Sequence, residues 1–357
     1  MFRIPASACV LSLTLGTMPA VAADALAPPG AIAPVYRAID LGTLPGATSS
    51  LALGINAWGD AIGSSNSDRT NQSNQSHATL FTQGTTVDLG IPPGDNFSNG
   101  YGINDAGVGI GIVGDLTSLD PVPDVGIFAG GRIGILTAPG GGTAFGQALN
   151  NQGQAAGFSY GGAVEHALRW DAGTPVDLGT LPGGAYSLGY AINNAGVVAG
   201  SSDTGTGAAH AARFDHGTVI DLDSGGTAES SNAEGINDAG LVVGQVQGAT
   251  YHAFLYRAGA MVDLMPPGAS YSDAAAINNQ NQIVGQAYFP ATGLSRAVLW
   301  QNGQIILLDP LAGYGYSVAA AINDRGWIAG YSGNSTGSMR ATLWVPENRF
   351  GLPKPGM

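Results

Sequence analysis

Short apolar strands alternate with Gly-rich turns along most of the chain, and one pattern recurs seven times. In each copy, a strand of small and aliphatic residues ends in an aliphatic–Asn pair and turns at once into a second strand. The asparagines are Asn56, Asn104, Asn150, Asn193, Asn237, Asn278 and Asn323. They are spaced by 48, 46, 43, 44, 41 and 45 residues. A unit of this length is typical of a repeat array or of the blades of a propeller.

The fourth unit shows the elements that the pattern predicts. Strands 187–193 and 197–200 flank an Asn-Asn-Ala-Gly turn, and strands 210–214 and 218–222 flank an Asp-His-Gly turn. Asn and Gly tolerate the positive φ that such hairpins demand. The sequence therefore predicts four antiparallel strands per unit, which matches one propeller blade.

The first strand of each unit carries small residues where a propeller has least room. Two and four residues before every repeat asparagine the residue is Gly or Ala, as at Gly189 and Ala191. Alternate residues share one face of a strand, so we expect these two positions to lie on the same face. Wedge-shaped blades are narrowest at the axis, which favours small side chains on an innermost strand.

The two ends of the repeat region predict how the ring closes. Residues 35–41 look like a fourth strand, and 340–344 like a third strand with no clear fourth after it. The N-terminal strand can supply the missing edge, which removes an unpaired strand. We therefore predict an all-β fold, a seven-bladed β-propeller of four-stranded antiparallel blades over residues 35–345, closed by the N-terminal strand pairing with the last blade.

The N-terminus predicts export. Arg3 precedes a short apolar run, and Ala20-Val21-Ala22 is a small-residue cleavage site, so residues 1–22 read as a signal peptide and 23–34 as a linker. We expect a secreted protein, extracellular or periplasmic. Cys9 is the sole cysteine and leaves with the signal, so the mature chain has no disulfide.

The net charge of the chain limits the classes of partner that it can bind. The chain carries 12 basic and 25 acidic residues, a net charge of −13. Nucleic acid is excluded as a partner because phosphate binding needs a basic stripe. One unbroken array closing on itself favours a monomer.

The repeat resembles a known family. Residues 177–184 read Asp-Leu-Gly-Thr-Leu-Pro-Gly-Gly, 40–46 match most of that segment, and 252–254 read His-Ala-Phe. These are hallmarks of the HAF-type extracellular repeat, and the likeness covers nearly the whole mature chain. The resemblance implies a secreted, mostly bacterial repeat protein and supplies no reaction or catalytic residue. Some relatives end in a Val-Pro-Glu-Pro tail with a membrane helix; the tail here, 346–357, lacks that helix, so no transmembrane anchor is expected.

Polar residues that recur from blade to blade are better explained by the scaffold than by chemistry. Four histidines share one repeat position, and arginines fill it in two later units; five aspartates share another. We interpret the former as hydrogen-bonding residues and the latter as turn-stabilising carboxylates. The histidines and arginines are His77, His166, His210, His252, Arg296 and Arg340. The aspartates are Asp40, Asp88, Asp177, Asp221 and Asp263.

A serine lies six residues before six of the seven repeat asparagines, with Ala144 as the exception. A hydroxyl bonded to the next blade is the simpler interpretation. The alternative is that three of these serines, Ser187, Ser272 and Ser317, and the tyrosines just before them, Tyr186, Tyr271 and Tyr316, face a ligand at the channel mouth.

The two faces of the ring differ. The tight turns after strands one and three lie on one face, called here the turn face. The Leu-Pro-Gly-Gly loops and the loops between strands two and three lie on the other, the loop face. Loops of the second kind vary in length, 64–76 being long and polar and 201–207 short, and variable loops are where repeat proteins usually bind.

Calcium is the one cofactor for which the sequence offers grounds. The loop 114–124 holds Asp115, Asp120 and Asp124, and oxygen ligands on a flexible loop suit Ca²⁺. A solvated acidic loop is the simpler interpretation in so acidic a chain.

Two functions of different classes follow. The first is a non-catalytic module that binds a carbohydrate or a cell-envelope or extracellular protein through the loop face. The second is a glycan hydrolase or lyase at the channel mouth, which needs two converging carboxylates. The candidate acids that do not belong to the repeat are Asp95 and Asp273. A structural spacer with no ligand is a third reading, and no catalytic residue is assigned.

Overall fold

The computed structural model describes residues 34–66, 76–82, 84–115, 123–161, 164–224 and 229–347. The predicted signal peptide, most of the linker and most of the tail 346–357 lie outside these residues, as do the greater parts of the two loops singled out above.

Seven four-stranded antiparallel sheets form the described part of the chain, and the predicted β-propeller is confirmed. The first strand follows the linker: β1 (Tyr36–Asp40). Blades 1 and 2 comprise β2 (Ser49–Ile55), β3 (Ala61–Asn66), β4 (Ser76–Thr82), β5 (Thr85–Asp88), β6 (Phe97–Ile103), β7 (Gly109–Gly114), β8 (Asp124–Ala129) and β9 (Arg132–Leu136). Blades 3 and 4 comprise β10 (Thr143–Leu149), β11 (Ala155–Tyr160), β12 (Ala167–Asp171), β13 (Thr174–Asp177), β14 (Ser187–Ile192), β15 (Val198–Asp203), β16 (Ala209–Asp215) and β17 (Thr218–Asp221). Blades 5 to 7 comprise β18 (Ser230–Ile236), β19 (Val242–Gln247), β20 (Tyr251–Arg257), β21 (Ala260–Asp263), β22 (Tyr271–Ile277), β23 (Ile283–Phe289), β24 (Leu294–Gln301), β25 (Gln304–Leu308), β26 (Tyr316–Ile322), β27 (Ile328–Gly333) and β28 (Met339–Pro346). A short 3₁₀ turn, Pro139–Gly141, precedes β10.

The ring closes as the sequence predicts. Strand β1 is the outer strand of blade 7 and pairs antiparallel with β28, from Tyr36 opposite Pro346 to Asp40 opposite Thr342. The sheet order β1-β28-β27-β26 therefore joins the two ends of the described repeat region in one blade. This pairing leaves β28 without a free edge.

Each innermost strand contains a β-bulge, and this corrects one prediction. The register shifts between the two small residues of every inner strand. In blade 5 an added Cβ at Gly235 would meet Ala276 of blade 6, whereas one at Gly189 of blade 4 would meet Gly157 of blade 3. The prediction that both small positions share one face is thus wrong, because the extra residue of a bulge changes the alternation. The two positions touch opposite neighbours.

The seven repeat asparagines form a closed ring of hydrogen bonds around the axis. Each Nδ2 donates to the backbone carbonyl of the equivalent asparagine in the following blade, over 2.9 to 3.5 Å. The last of these bonds runs from Asn323 to Asn56 and completes the circle. The side-chain oxygen of Asn193 also accepts the N–H groups of Ala195 and Val197, which fixes its own turn. One buried amide therefore holds both a hairpin and a blade interface.

The recurrent histidines and aspartates are partners within each blade. In blades 1, 3, 4 and 5 the histidine Nδ1 on the third strand lies 2.8 to 3.0 Å from the carboxylate at the end of the fourth. In blade 7, Arg340 takes the histidine position and lies 3.7 Å from Asp40. Each of the five aspartates also accepts the N–H two residues onward. Both scaffold interpretations agree with these contacts.

We expect Asn193→Ala to lower the free energy of unfolding by about 2–4 kcal/mol, because it removes one interblade bond and leaves buried N–H groups without an acceptor. Denaturant unfolding measures this loss. Asn194→Ala is the matched control. The Asn194 side chain also bonds the neighbouring blades, through Asn151 and Asp238, but at exposed positions, so its loss should cost less than about 1 kcal/mol. Equal losses in the two variants would refute the importance of the ring.

Candidate functional site

Residues three and five positions before each repeat asparagine line the central channel. All are partly exposed, while the residues four and six positions before the asparagine are buried in every blade. These channel-lining positions do not repeat. Five positions before, they are Leu51, Asn99, Phe145, Leu188, Asn232, Asp273 and Val318. Three positions before, they are Leu53, Tyr101, Gln147, Tyr190, Glu234, Ala275 and Ala320.

Two acids of the channel lining interact. Glu234 on β18 and Asp273 on β22 come from neighbouring inner strands, and the charge of Asp273 acts on Glu234. Burial and then the charge of Asp273 raise the pKa of Glu234 to about 8. Burial also raises the pKa of Asp273. At neutral pH this pair holds a proton.

Asp273 is fixed by three hydrogen bonds. Its Oδ2 accepts the Tyr271 hydroxyl and the Gln286 amide, both at 2.8 Å, and its Oδ1 accepts the Gln286 backbone N–H at 3.3 Å. Gln286 lies opposite Asp273 in the register of β22 and β23. The carboxylate is therefore held on the channel wall in one orientation.

Gln245 on β19 provides an unsatisfied acceptor at this site. Its side chain hydrogen-bonds Glu234, and its Oε1 is buried with no partner. Only 9% of the residue is exposed. Buried acceptors normally have a partner, so an orphan of this kind calls for an explanation. Together, Glu234, Asp273, Gln245, Tyr271 and Gln286 are called here the acid cluster.

The predicted tyrosines lie at the loop-face end of the same inner strands. Tyr186, Tyr271 and Tyr316 each stand seven residues before a repeat asparagine, and all are partly exposed. The Tyr271 ring lies 6.1 Å from Tyr251, and the Tyr316 ring 6.5 Å from Tyr331. The structure thus brings Tyr271 into the acid cluster and places the other two in the neighbouring blades.

Electrostatic contacts connect these tyrosines with the acid cluster. Besides burial, the charges of Glu234 and Tyr186 both contribute to raising the pKa of Tyr190. On the other side of the cluster, burial and the charges of Tyr316 and Asp273 contribute to raising the pKa of Tyr331. Burial raises the pKa of both Tyr190 and Tyr331 to about 12. These tyrosines and the acid cluster, in blades 4 to 7, are called here the wall.

The three serines lie apart from this wall. Ser187, Ser272 and Ser317 are fully buried, and each accepts a backbone N–H from the third strand of the preceding blade. The hydroxyls of Ser187 and Ser317 also donate to backbone carbonyls. These bonds are the interblade contacts that the sequence predicts, made with the preceding rather than the following blade.

The acidic loop is described only at its ends. Asp120 lies outside the described residues. Asp115 is hydrogen-bonded by the Asn96 amide, and burial, Asp124 and Asp115 together raise the pKa of Asp95. Asp95, Asp115 and Asp124 therefore lie near one another in blade 2. Within the described ranges no three His, Cys, Asp or Glu residues are arranged to hold a metal ion.

A cavity of about 240 Å³ opens at the turn-face mouth of the channel. It is lined by the asparagine ring and by the residues on either side of each asparagine. The carboxylates there already accept bonds from neighbouring blades: Asp105 from Ala57 and Asn151, Asp238 from Asn194 and Asn279. The side-chain contacts at this mouth therefore hold neighbouring blades together.

Sequence reasoning missed Glu234. Asp273 was among the candidates, but its partner lies 39 residues earlier in the preceding unit. The available signal was two acids at channel-lining positions of consecutive repeats, where the other units have neutral residues. Recognising it requires knowing that the third and fifth residues before the asparagine, which share one face of the strand, are the ones that face the channel.

Comparison with known proteins supports the fold alone. No protein-family model and no curated protein sequence matches the chain. Among solved structures, it resembles the β-propeller domain of the trilobed protease from Pyrococcus furiosus, at 7% identity and a TM-score of 0.56, over 86% of this chain and 100% of that one. It also resembles a streptogramin B lyase, at 10% identity and a TM-score of 0.54, over 87% and 98%. The Pyrococcus horikoshii acylaminoacyl peptidase is similar at 9% identity and a TM-score of 0.52, over 83% of this chain and 51% of that one.

These likenesses establish that the chain is a β-propeller. The part of the chain that the structure describes contains no helix long and apolar enough to cross a membrane.

Glu234 predicts a pH dependence of stability. Its pKa rises on folding from 4.5 to about 8, so the folded state binds more protons in that window and the free energy of unfolding falls as pH rises through it. Glu234→Gln should make this fall shallower by up to about 1.4 kcal/mol per pH unit. Chemical unfolding at pH 5, 6, 7 and 8 measures it. The control Glu229→Gln, an exposed acid beside the same blade, should keep the wild-type slope; a wild-type slope in Glu234→Gln contradicts the assignment.

Proposed function

We propose that this chain is a secreted propeller of the HAF-type extracellular repeat family and that it binds a carbohydrate without turnover at the loop-face mouth of its channel. The observation that carries the proposal is the wall of tyrosines, amides and carboxylates in blades 4 to 7. The tyrosines recur in only three units, and the two acids occupy positions that are neutral in the other units. A scaffold role predicts repetition, whereas ligand recognition predicts such differences.

The chemistry of the wall suits a sugar. Sugars offer hydroxyl groups that both donate and accept hydrogen bonds, and C–H faces that pack against aromatic rings. Tyr186, Tyr271 and Tyr316 provide rings with a polar tip, while Gln245 and Asp273 provide acceptors. A protein ligand from the cell envelope is the other partner class that the loop face could serve.

The binding proposal is tested on a glycan array, followed by titration of the best ligand. We expect saturable binding, and Tyr271→Ala and Tyr186→Ala should each weaken it by at least about tenfold, because each removes an aromatic contact. Trp58→Ala is the control, since Trp58 is 62% exposed and lies on the turn face. A protein with no glycan ligand, or with equal losses in all three variants, would exclude this site.

A second function is favoured by one observation, the interacting acids Glu234 and Asp273. A carboxyl kept protonated near neutral pH beside an ionised one is the arrangement that glycan hydrolases use, with one group as acid and the other as base or nucleophile. In that case Glu234 is the proton donor and Asp273 the ionised partner.

Turnover distinguishes the two functions. A hydrolase releases reducing ends from the bound glycan and a lyase releases unsaturated products; in either case Glu234→Gln should lower the rate by at least about a hundredfold, with the ligand still bound. The binding module predicts no product with the wild-type protein. Product formed equally by wild type and Glu234→Gln would exclude the acid cluster from catalysis.

A further inference from the structure

We infer that the acid cluster binds a primary ammonium group, so that the carbohydrate of this protein is an amino sugar with a free amine. This inference rests on the proposed function and makes its ligand specific. It is carried by two independent observations: two neighbouring carboxylates on the channel wall, and the buried, partnerless Oε1 of Gln245 beside them.

The hydrogen bonds at the cluster leave acceptors in excess. Apart from the proton that the acid pair holds, the side-chain donors are already directed: the Tyr271 hydroxyl and Gln286 amide to Asp273, and the Gln245 amide to Glu234. What remains is the carboxyl of Glu234, the free lone pairs of Asp273 and the Oε1 of Gln245. The missing partner is therefore a donor with several N–H or O–H bonds.

The negative charge of the cluster distinguishes a cationic donor from a neutral one. The titratable groups that act on Glu234 and Asp273 from the adjoining strands are Tyr190, Tyr271 and Tyr331, together with the two acids themselves. None of these is basic. Carboxylates that are largely removed from water are normally paired with a positive charge. A neutral hydroxyl would satisfy the hydrogen bonds but leave the charge uncompensated.

A primary ammonium meets both requirements, because it presents three N–H donors and one positive charge. Its three donors match three acceptors, namely Glu234, Asp273 and Gln245 Oε1. Without ligand, a proton on the pair serves the same purpose, in keeping with the raised pKa of Glu234. The net charge of −13 also attracts cations to the protein as a whole.

Binding should therefore release a proton. The ammonium replaces the proton held by the pair, so the affinity for an amine that stays charged should rise as pH increases towards about 8. The amine of an amino sugar titrates near neutrality, so the sugar shows this rise only below its own pKa. We expect the affinity for a neutral ligand at the same site not to rise with pH in this way.

The test compares two tetrasaccharides that differ only in N-acetylation: fully deacetylated chitotetraose, which carries ammonium groups, and N-acetylated chitotetraose, which does not. Calorimetric titration at pH 6 should give at least about tenfold tighter binding of the deacetylated sugar to wild type. Glu234→Gln and Gln245→Leu should each lose most of this preference. Glu229→Gln, which removes the same charge from an exposed site, should keep it.

A third probe separates this inference from the proposed function. Propylammonium stays charged between pH 6 and 9 because alkyl amines titrate near pH ~10. It should raise the melting temperature of wild type more at pH 8 than at pH 6, and leave Glu234→Gln unchanged. If the N-acetylated sugar binds as tightly as the deacetylated one and propylammonium has no effect, the ammonium site is refuted while the glycan function stands. If neither sugar binds but propylammonium stabilises wild type alone, the site stands and the glycan function falls.

Discussion

The hydrogen bond from each repeat asparagine to the next blade is the interaction on which the rest of the structure depends. The seven blades are separate sheets, and in the described residues one isolated bridge, Glu165 to Tyr186, joins two of them. The blades are therefore held in register mainly by side chains and packing. Here one buried amide fixes its own hairpin and donates to the following blade, and the seventh such bond returns to the first. Because buried amide groups are costly to leave unpaired, loss of one bond affects both a turn and an interface.

The ring also determines which residues reach the channel. It anchors the end of each inner strand, where the partly exposed residues three and five positions before the asparagine face the axis. Serines, histidines and aspartates that repeat are bonded within or between blades. The channel lining is therefore free to differ from blade to blade, and there the chain places Glu234 and Asp273.

The sequence was sufficient for the ring but not for the site. Seven asparagines at a near-constant spacing predict seven blades, and the incomplete units at the two ends predict that β1 closes blade 7. The bulge could not be predicted, since it inserts a residue without a compositional mark, and with it the prediction of a shared face fails. Glu234 and Asp273 are 39 residues apart and meet because adjacent blades align their inner strands, which is a property of the closed ring.

The acid cluster differs from the scaffold in its energetics. A histidine paired with an aspartate, as in His252 and Asp263, favours the charged forms of both, with the pKa of the histidine raised and that of the aspartate lowered. Glu234 and Asp273 instead oppose each other's ionisation, and the free energy of unfolding falls as pH rises from 4.5 to about 8. A neutral side chain at either position, as in the other units, would avoid that cost. The presence of both acids beside the buried Oε1 of Gln245 fits the proposed cationic ligand, whose charge would relieve the repulsion between the two carboxylates.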